Sequence, residues 1–217
     1  MIIKNLQSIL KEIENGNNLG EKVTLVGATK FVSVENINIA ISNGLRDIGE
    51  NKAQEFRDKF DLVLKPINYH FFGRLQSNKI KYLIGKVYLI HSVDSLSLLA
   101  EINKQSEQKG FQTSVLLELN LGEEQKGGFS FSEIENALKF CESLTSVKVL
   151  GFMAMLPDIS DEILLNSKAQ SVRKIYDNYK EKYDFKYLSM GMSNDYKIAI
   201  QNGSNMIRVG SSIFGKR

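Results

Sequence analysis

The chain has 217 residues, 42% of them hydrophobic and 24% charged, which is enough for one large buried core and not obviously for two. Its 28 basic and 25 acidic residues leave a formal net charge of +3, and Lys and Glu alternate along most segments, so no single-sign field points to a nucleic-acid or membrane partner. One cysteine excludes an internal disulfide, and no apolar run approaches the length that spans a bilayer.

Met1–Glu14 reads as an amphipathic helix with Leu6, Ile9, Leu10 and Ile13 on one side. It lacks the uninterrupted apolar core and small-residue cleavage site of a signal peptide, so the protein is expected to be cytosolic. Strand-like runs follow at Val23–Thr29, Asp47–Glu50, Tyr69–Gly73, Tyr88–Ser92, Ser114–Leu121, Val147–Met155, Tyr187–Gly191 and Met206–Gly210. Helical patterns lie between them at Val34–Asn43, Asn51–Leu64, Ser77–Gly85, Asp94–Lys109, Phe131–Ser143, Asp161–Lys182 and Asp195–Gln201. Ser33, Ser77, Asp94, Ser130 and Asp195 stand where N-caps belong, and Gly44 and Gly203 where helices stop. Cys141 shares a face with Ile134, Ala137, Leu138 and Leu144, which predicts a buried, inert thiol rather than a nucleophile. Eight strands alternating with helices predict an α/β fold, a single (β/α)8 TIM-type barrel over residues 1–217 with an additional N-terminal helix. A doubly wound open sheet also alternates, and the count decides against it, although the second strand is a run of only four residues.

In such a barrel the active site lies at the C-terminal strand ends, and phosphate is often held by the loops after strands seven and eight. Lys30 ends the first strand, and alternation places it on the face of Thr24, Val26 and Ala28. If that face is the interior, the amine is partly desolvated and its neutral, nucleophilic form becomes accessible for a Schiff base; the alternative is an ammonium that emerges into solvent or pairs with a carboxylate. The runs Leu188-Ser189-Met190-Gly191-Met192-Ser193-Asn194 and Arg208-Val209-Gly210-Ser211-Ser212 supply backbone N–H groups that can approach an anion, with serine hydroxyls as further donors, unless they are plain connectors. Arg208 could aim its guanidinium into the mouth, where a pyridine nitrogen facing it would stay unprotonated and make a poor electron sink; otherwise it forms a structural ion pair. Asn51, after Gly49-Glu50, could bond a ring hydroxyl or cap the following helix, and its spacing favours the cap. His70 reads as a core histidine. His91 comes nearer to the mouth, with no carboxylate placed to orient it. Gly122–Gly128 reads as a mobile loop above the site or a solvated turn. An amine at one strand end and an anion cradle at two others suit an aldehyde-bearing phosphate, for which pyridoxal phosphate is the candidate.

The strings Val26-Gly27-Ala28-Thr29-Lys30, Gly49-Glu50-Asn51 with Gln54-Glu55, His70-Phe71-Phe72-Gly73-Arg74-Leu75-Gln76-Ser77-Asn78-Lys79, Gly122-Glu123-Glu124-Gln125-Lys126, Leu188-Ser189-Met190-Gly191-Met192-Ser193 and Ile207-Arg208-Val209-Gly210 resemble, in order and over essentially the whole chain, the pyridoxal phosphate homeostasis protein family. The resemblance implies a barrel like the N-terminal domain of alanine racemase, holding pyridoxal 5'-phosphate as an internal aldimine on Lys30. It places Asn51 beside the ring and Arg208 at the pyridine nitrogen, with Ser189, Ser193, Gly210 and Ser211 in the phosphate-binding turns and Met190 among the cofactor-binding residues. Two departures are visible: Ser211 stands where the family commonly has threonine, and Phe72 where it usually has an aliphatic residue; neither removes a binding group. The family is regarded as carrying the cofactor or regulating vitamin B6 and amino-acid pools, without established turnover. Alanine racemases take a second proton-transfer residue from an additional β-domain of the partner subunit, whereas this chain ends at Arg217 after the barrel, so fast two-base racemisation is not expected. The expected protein is therefore a cytosolic, monomeric carrier of pyridoxal phosphate that serves cofactor-dependent apoenzymes. A slow racemase using Lys30 as base, and a barrel binding another phosphorylated metabolite without a covalent bond, are the rival readings.

Overall fold

In the computed structural model, which describes residues 1–122 and 127–215, eight parallel strands hydrogen-bond in chain order and close into a barrel. The strands are β1 (Thr24–Ala28), β2 (Asp47–Glu50), β3 (Asn68–Phe71), β4 (Leu89–Val93), β5 (Thr113–Leu119), β6 (Val147–Ala154), β7 (Tyr187–Met190) and β8 (Met206–Val209). The seam is made by β8 beside β1, with Val26 paired to Arg208 and Gly27 to Val209. The helices are α1 (Ile2–Glu12), α2 (Val34–Ser42), α3 (Ala53–Lys59), α4 (Leu96–Lys109), α5 (Ile134–Glu142), α6 (Glu162–Tyr183), α7 (Tyr196–Gln201) and α8 (Ser211–Phe214). The expected helix at Ser77–Gly85 is a tighter 3-10 helix over Ser77–Tyr82, and α8 is an addition to the sequence pattern, too short to show a helical period.

Two apolar clusters follow from strand alternation. Outward-facing residues such as Leu25, Ile48 and Phe71 pack with the helices into one large core, while Val26, Leu89, Leu116, Met153 and Met206 fill the barrel interior. The amphipathic α1 buries Leu6 and Ile9 and packs against α2 and α8. Asn5 Nδ2 donates to the Ile213 carbonyl at 3.2 Å, which ties this helix to the last turn of the chain.

Ser33 and Asp161 cap α2 and α6 through their side chains, but three expected caps lie elsewhere. Ser95 rather than Asp94 accepts the N–H of Leu98; Ser77 is the first helical residue, after Gln76; and Ser130 bonds Glu133, which is itself the residue before α5. Each misplacement is by one to three residues in a polar cluster, where several side chains could serve the same N–H groups. Cys141 is half-buried rather than buried, and desolvation pushes its thiol up to about 12, which keeps it inert. Among the described residues, no helix is long and apolar enough to cross a membrane.

Candidate functional site

Closure of the barrel sets the ends of β7, β8, β1 and β2 side by side on one arc of its C-terminal mouth. Gly210 lies against Ala28, where an added Cβ would come 3.1 Å from the Ala28 carbonyl oxygen, so the loop after β8 runs directly past the end of β1. Lys30 follows two residues after Ala28 and is exposed. Lys30 is therefore not desolvated as expected, because it sits in the turn beyond the last laddered residue.

That turn is held from behind. Lys59 Nζ donates to the Thr29 carbonyl and Glu50 Oε1, both at 2.8 Å, and to Glu55 Oε2 at 3.1 Å. Thr29 Oγ1 also donates to Glu50 Oε1 at 2.8 Å, and the Phe31 N–H donates to Glu55 Oε2 at 2.8 Å. Phe31 has a left-handed φ of 59°, a conformation that costs a non-glycine residue energy and persists only where neighbours impose it. Glu50 is fully buried; desolvation raises its pKa, and the Lys59 and Thr29 bonds oppose the rise.

Asn51 is not the cap of α3, a position taken by Lys52. Its Oδ1 is buried without a hydrogen-bond partner, which leaves a polar atom at the end of β2 for a ligand to satisfy. The loops after β7 and β8 are joined through Ser193, whose Oγ accepts the N–H groups of Gly210 at 3.2 Å and Ser212 at 3.4 Å. Those two acceptor bonds leave the hydroxyl proton of Ser193 able to donate to an anion. Gly191 makes the first of these turns at φ 104°, and a Cβ there would stand 2.7 Å from Ala199.

Inside the barrel, below this cradle, Arg208 is only 5% exposed. Its Nη1 donates to the Ser189 carbonyl (2.9 Å) and Oγ (2.6 Å), and Nη2 donates to the Ala154 carbonyl (3.1 Å). Burial lowers its pKa to about 10, against the pull of Asp195 and Glu118, so it remains a cation at neutral pH. Ser189 is fully buried and engaged with Arg208 and His91, so its hydroxyl belongs to the interior and not to the phosphate turns where the sequence placed it: as an inward residue of β7 it lies below the loop. Met190 is buried on the opposite parity, within the outer core, which leaves only its backbone for the turn. Ser211 opens α8 directly after Gly210.

Sequence reasoning missed the depth of this polar interior. His91 Nδ1 lies 2.9 Å from Ser189 Oγ, His91 Nε2 lies 2.8 Å from His70 Nδ1, and His70 Nε2 lies 3.1 Å from Asp47 Oδ1. His91 is therefore oriented by a carboxylate after all, through a second imidazole. Strand parity could have found it, since Asp47, His70, His91 and Ser189 all fall on inward positions of β2, β3, β4 and β7. The clamp of Lys59, Glu50 and Glu55 was missed for the complementary reason, as it faces outward. Of the Gly122–Gly128 loop, residues 123–126 lie outside the described residues. A cavity of about 540 Å³ is lined by Asn120, Gly122, Phe131 and Lys168 among others, and Lys30, Asn51, Ser193, Arg208 and Gly210 are not among its lining residues.

The adjacent ends of β7, β8, β1 and β2 thus carry an amine, two turns linked through Ser193, an unpartnered amide oxygen and a buried guanidinium, on a closed (β/α)8 barrel. Residues 28–217 match the family model described as alanine racemase, N-terminal domain. The pyridoxal phosphate homeostasis protein of Aquifex aeolicus is 36% identical over 221 residues, covering 100% of this chain and 95% of the relative; that of a Synechocystis strain is 34% identical over 205 residues, covering 92% and 94%. A solved structure of PipY from Synechococcus elongatus with PLP bound superposes with a TM-score of 0.89 at 26% identity, covering 99% of this chain and 100% of that one. The chain belongs to the pyridoxal phosphate homeostasis protein family, within the barrel class of the alanine racemase N-terminal domain.

Proposed function

We propose that the protein binds pyridoxal 5'-phosphate in the barrel mouth, attached to Lys30 as an internal aldimine, and that it stores or delivers the cofactor without efficient turnover. The observation that carries the reading is the single arc that sets Lys30, Asn51, Arg208 and the turns at Ser193 and Gly210 around one opening. The group fits what is there. The unpartnered Asn51 Oδ1 offers an acceptor to a ring hydroxyl, the linked turns at Ser193, Gly210 and Ser211 suit a phosphate, and Lys30 stands in the exposed turn after β1. When bound, the cofactor supplies an aldehyde and an aromatic ring able to accept electrons.

Arg208 argues for holding over catalysis. A guanidinium carries only donors and stays protonated, so a ring nitrogen facing it keeps its lone pair and the ring withdraws electrons weakly. The rival of slow racemase-type activity would use Lys30 as its base. The names of the relatives support a homeostatic role in the same direction. Delivery to cofactor-dependent apoenzymes, a monomeric state and a cytosolic location belong to the same proposal.

The test is a visible spectrum of protein loaded with pyridoxal phosphate, then borohydride reduction and peptide mapping. A Schiff-base absorption band and a reduced adduct on Lys30 support the reading, and loss of both in Lys30→Ala completes it. An adduct on another lysine, or steady racemisation of a single-enantiomer amino acid, overturns it.

A further inference from the structure

We propose that Asp47, His70 and His91 form a polarised hydrogen-bond relay through the barrel interior that fixes Ser189 as an acceptor for Arg208, which makes all three positioning residues for a site they do not touch. The cofactor consequence rests on the function proposed above; the relay itself does not.

Asp47 opens β2 at the N-terminal rim, where its side chain is 15% exposed, whereas His70, His91 and Ser189 are fully buried. From that rim the contacts run without a break: 3.1 Å from Asp47 Oδ1 to His70 Nε2, 2.8 Å from His70 Nδ1 to His91 Nε2, 2.9 Å from His91 Nδ1 to Ser189 Oγ and 2.6 Å from there to Arg208 Nη1. Apolar residues wall the chain in, with the Tyr88 ring 5.3 Å from His70 and the Phe72 ring 6.1 Å from His91 between centroids.

The direction of every proton follows from the two ends. An ionised carboxylate only accepts, so His70 carries its hydrogen on Nε2, and Asn68 Nδ2, donating to the same oxygen at 2.9 Å, holds that oxygen in place. Desolvation depresses both imidazoles, with the positive neighbour Arg208 adding to the effect on His91, so each ring is neutral and bears a single hydrogen. His70 Nδ1 must then accept from His91 Nε2–H, and His91 Nδ1 must accept from the Ser189 hydroxyl. Ser189 is left with lone pairs toward Arg208, whose cation can only donate. With the Ser189 and Ala154 carbonyls, this occupies three of the five N–H bonds of the guanidinium and fixes its plane.

The reverse polarity would put a bare imidazole nitrogen against the Asp47 carboxylate or require a buried imidazolium, and both are costly in an apolar lumen. Without Asp47 the two polarities become comparable. His91 could then donate to Ser189, the serine hydroxyl would swing free, and the arginine would compete with an imidazole N–H for one oxygen. An interior satisfied at every link thus transmits the identity of residue 47 across the barrel.

The chain has only two histidines, so 15N-histidine NMR of cofactor-free protein at pH 7.5 reads both rings, and a His91→Gln spectrum assigns them. Both rings are expected as neutral Nε2–H tautomers. In Asp47→Leu both should move toward mixed tautomers, including His91, which residue 47 does not contact; Asp47→Asn, which keeps an accepting oxygen, should restore the wild-type pattern. A wild-type His91 protonated on Nδ1, or an unmoved His91 in a folded Asp47→Leu protein, overturns the relay. If Asp47→Leu does not fold, His70→Gln replaces it with the same expectation for His91. With pyridoxal phosphate loaded, Asp47→Leu should shift the absorption maximum and weaken affinity by roughly threefold to tenfold, with the Lys30 adduct retained. A wild-type protein that takes up no cofactor removes the proposed function and leaves the tautomer result standing. A loaded Asp47→Leu protein with a wild-type spectrum and affinity overturns the relay's effect on Arg208.

Discussion

Single side chains at the mouth divide by how much structure depends on them. Lys30 is exposed, so Lys30→Ala removes little buried area; urea unfolding of cofactor-free protein should change by less than about 0.5 kcal/mol. The same variant should show no borohydride-stable adduct, which separates loss of function from loss of fold. Ser193 is the contrary case, since its Oγ holds the N–H groups of Gly210 and Ser212 and so shapes the turn after β8. Ser193→Ala should weaken pyridoxal phosphate binding by about 1 to 2 kcal/mol, roughly tenfold, from the loss of a charge-assisted bond and of that tether. Affinity for pyridoxal, which lacks the phosphate, should stay level in a parallel titration. An equal loss for both ligands would place the serine away from the anion.

At the level of elements, the β1 to α2 turn that carries Lys30 is set by α3 through Lys59, Glu50 and Glu55. Glu50 has its folded-state pKa raised above 4.5 by burial, with Lys59 and Thr29 opposing, so the stability it contributes is full below the unfolded value and declines as pH rises through the folded one. Removing the opposing ammonium raises the folded value further. Lys59→Met should therefore lose stability against wild type increasingly as pH climbs above 4.5, reaching about 3 kcal/mol near neutrality, in denaturant titrations across pH. A deficit independent of pH would mean that Glu50 is not the partner that matters. The elements themselves were legible in the sequence: every one of the eight expected strands overlaps an observed one, and Asp47–Glu50 is met at both ends. Alternation left Arg208 either an inward guanidinium or a structural ion pair, and it lies buried in the barrel on hydrogen bonds to Ser189 and Ala154. The forecast failed where local pattern competes with tertiary placement. Ser189 has the composition of a phosphate turn, yet its parity puts it inside the barrel, and Asn51 has the spacing of a cap while Lys52 takes that position. The Lys59 clamp joins residues of the turn after β1, of β2 and of α3 that no local period connects.

For the molecule as a whole, the barrel separates its tasks between its two ends, with candidate chemistry at the C-terminal mouth and closure secured at the opposite face. One tie at that face is Arg173 of α6. Its Nη1 donates to Glu21 Oε2 at 2.7 Å and to the Gly203 carbonyl at 2.8 Å, while Nη2 meets Glu21 Oε1 at 3.1 Å and Asp177 Oδ1 at 2.8 Å. One side chain thus joins the segment entering β1, the segment entering β8 and α6, which are the parts that must meet to shut the sheet. The Arg173 guanidinium holds Glu21 below the usual carboxylate range, against the burial that would raise it. A depressed carboxylate contributes stability that is present above its unfolded pKa and lost as pH falls through the folded one. Arg173→Met should therefore cost about 2 to 3 kcal/mol at pH 7, the partial exposure of both acids keeping it below a fully buried pair, and the gap to wild type should narrow as pH drops below 4.5. Because this tie lies at the far end of the strands, folded Arg173→Met protein should bind pyridoxal phosphate with wild-type affinity at low temperature. A deficit against wild type no larger at pH 7 than at pH 4 would show that Glu21 does not depend on this arginine, and a variant that is folded but binds weakly would show that the closure and the mouth are not separate.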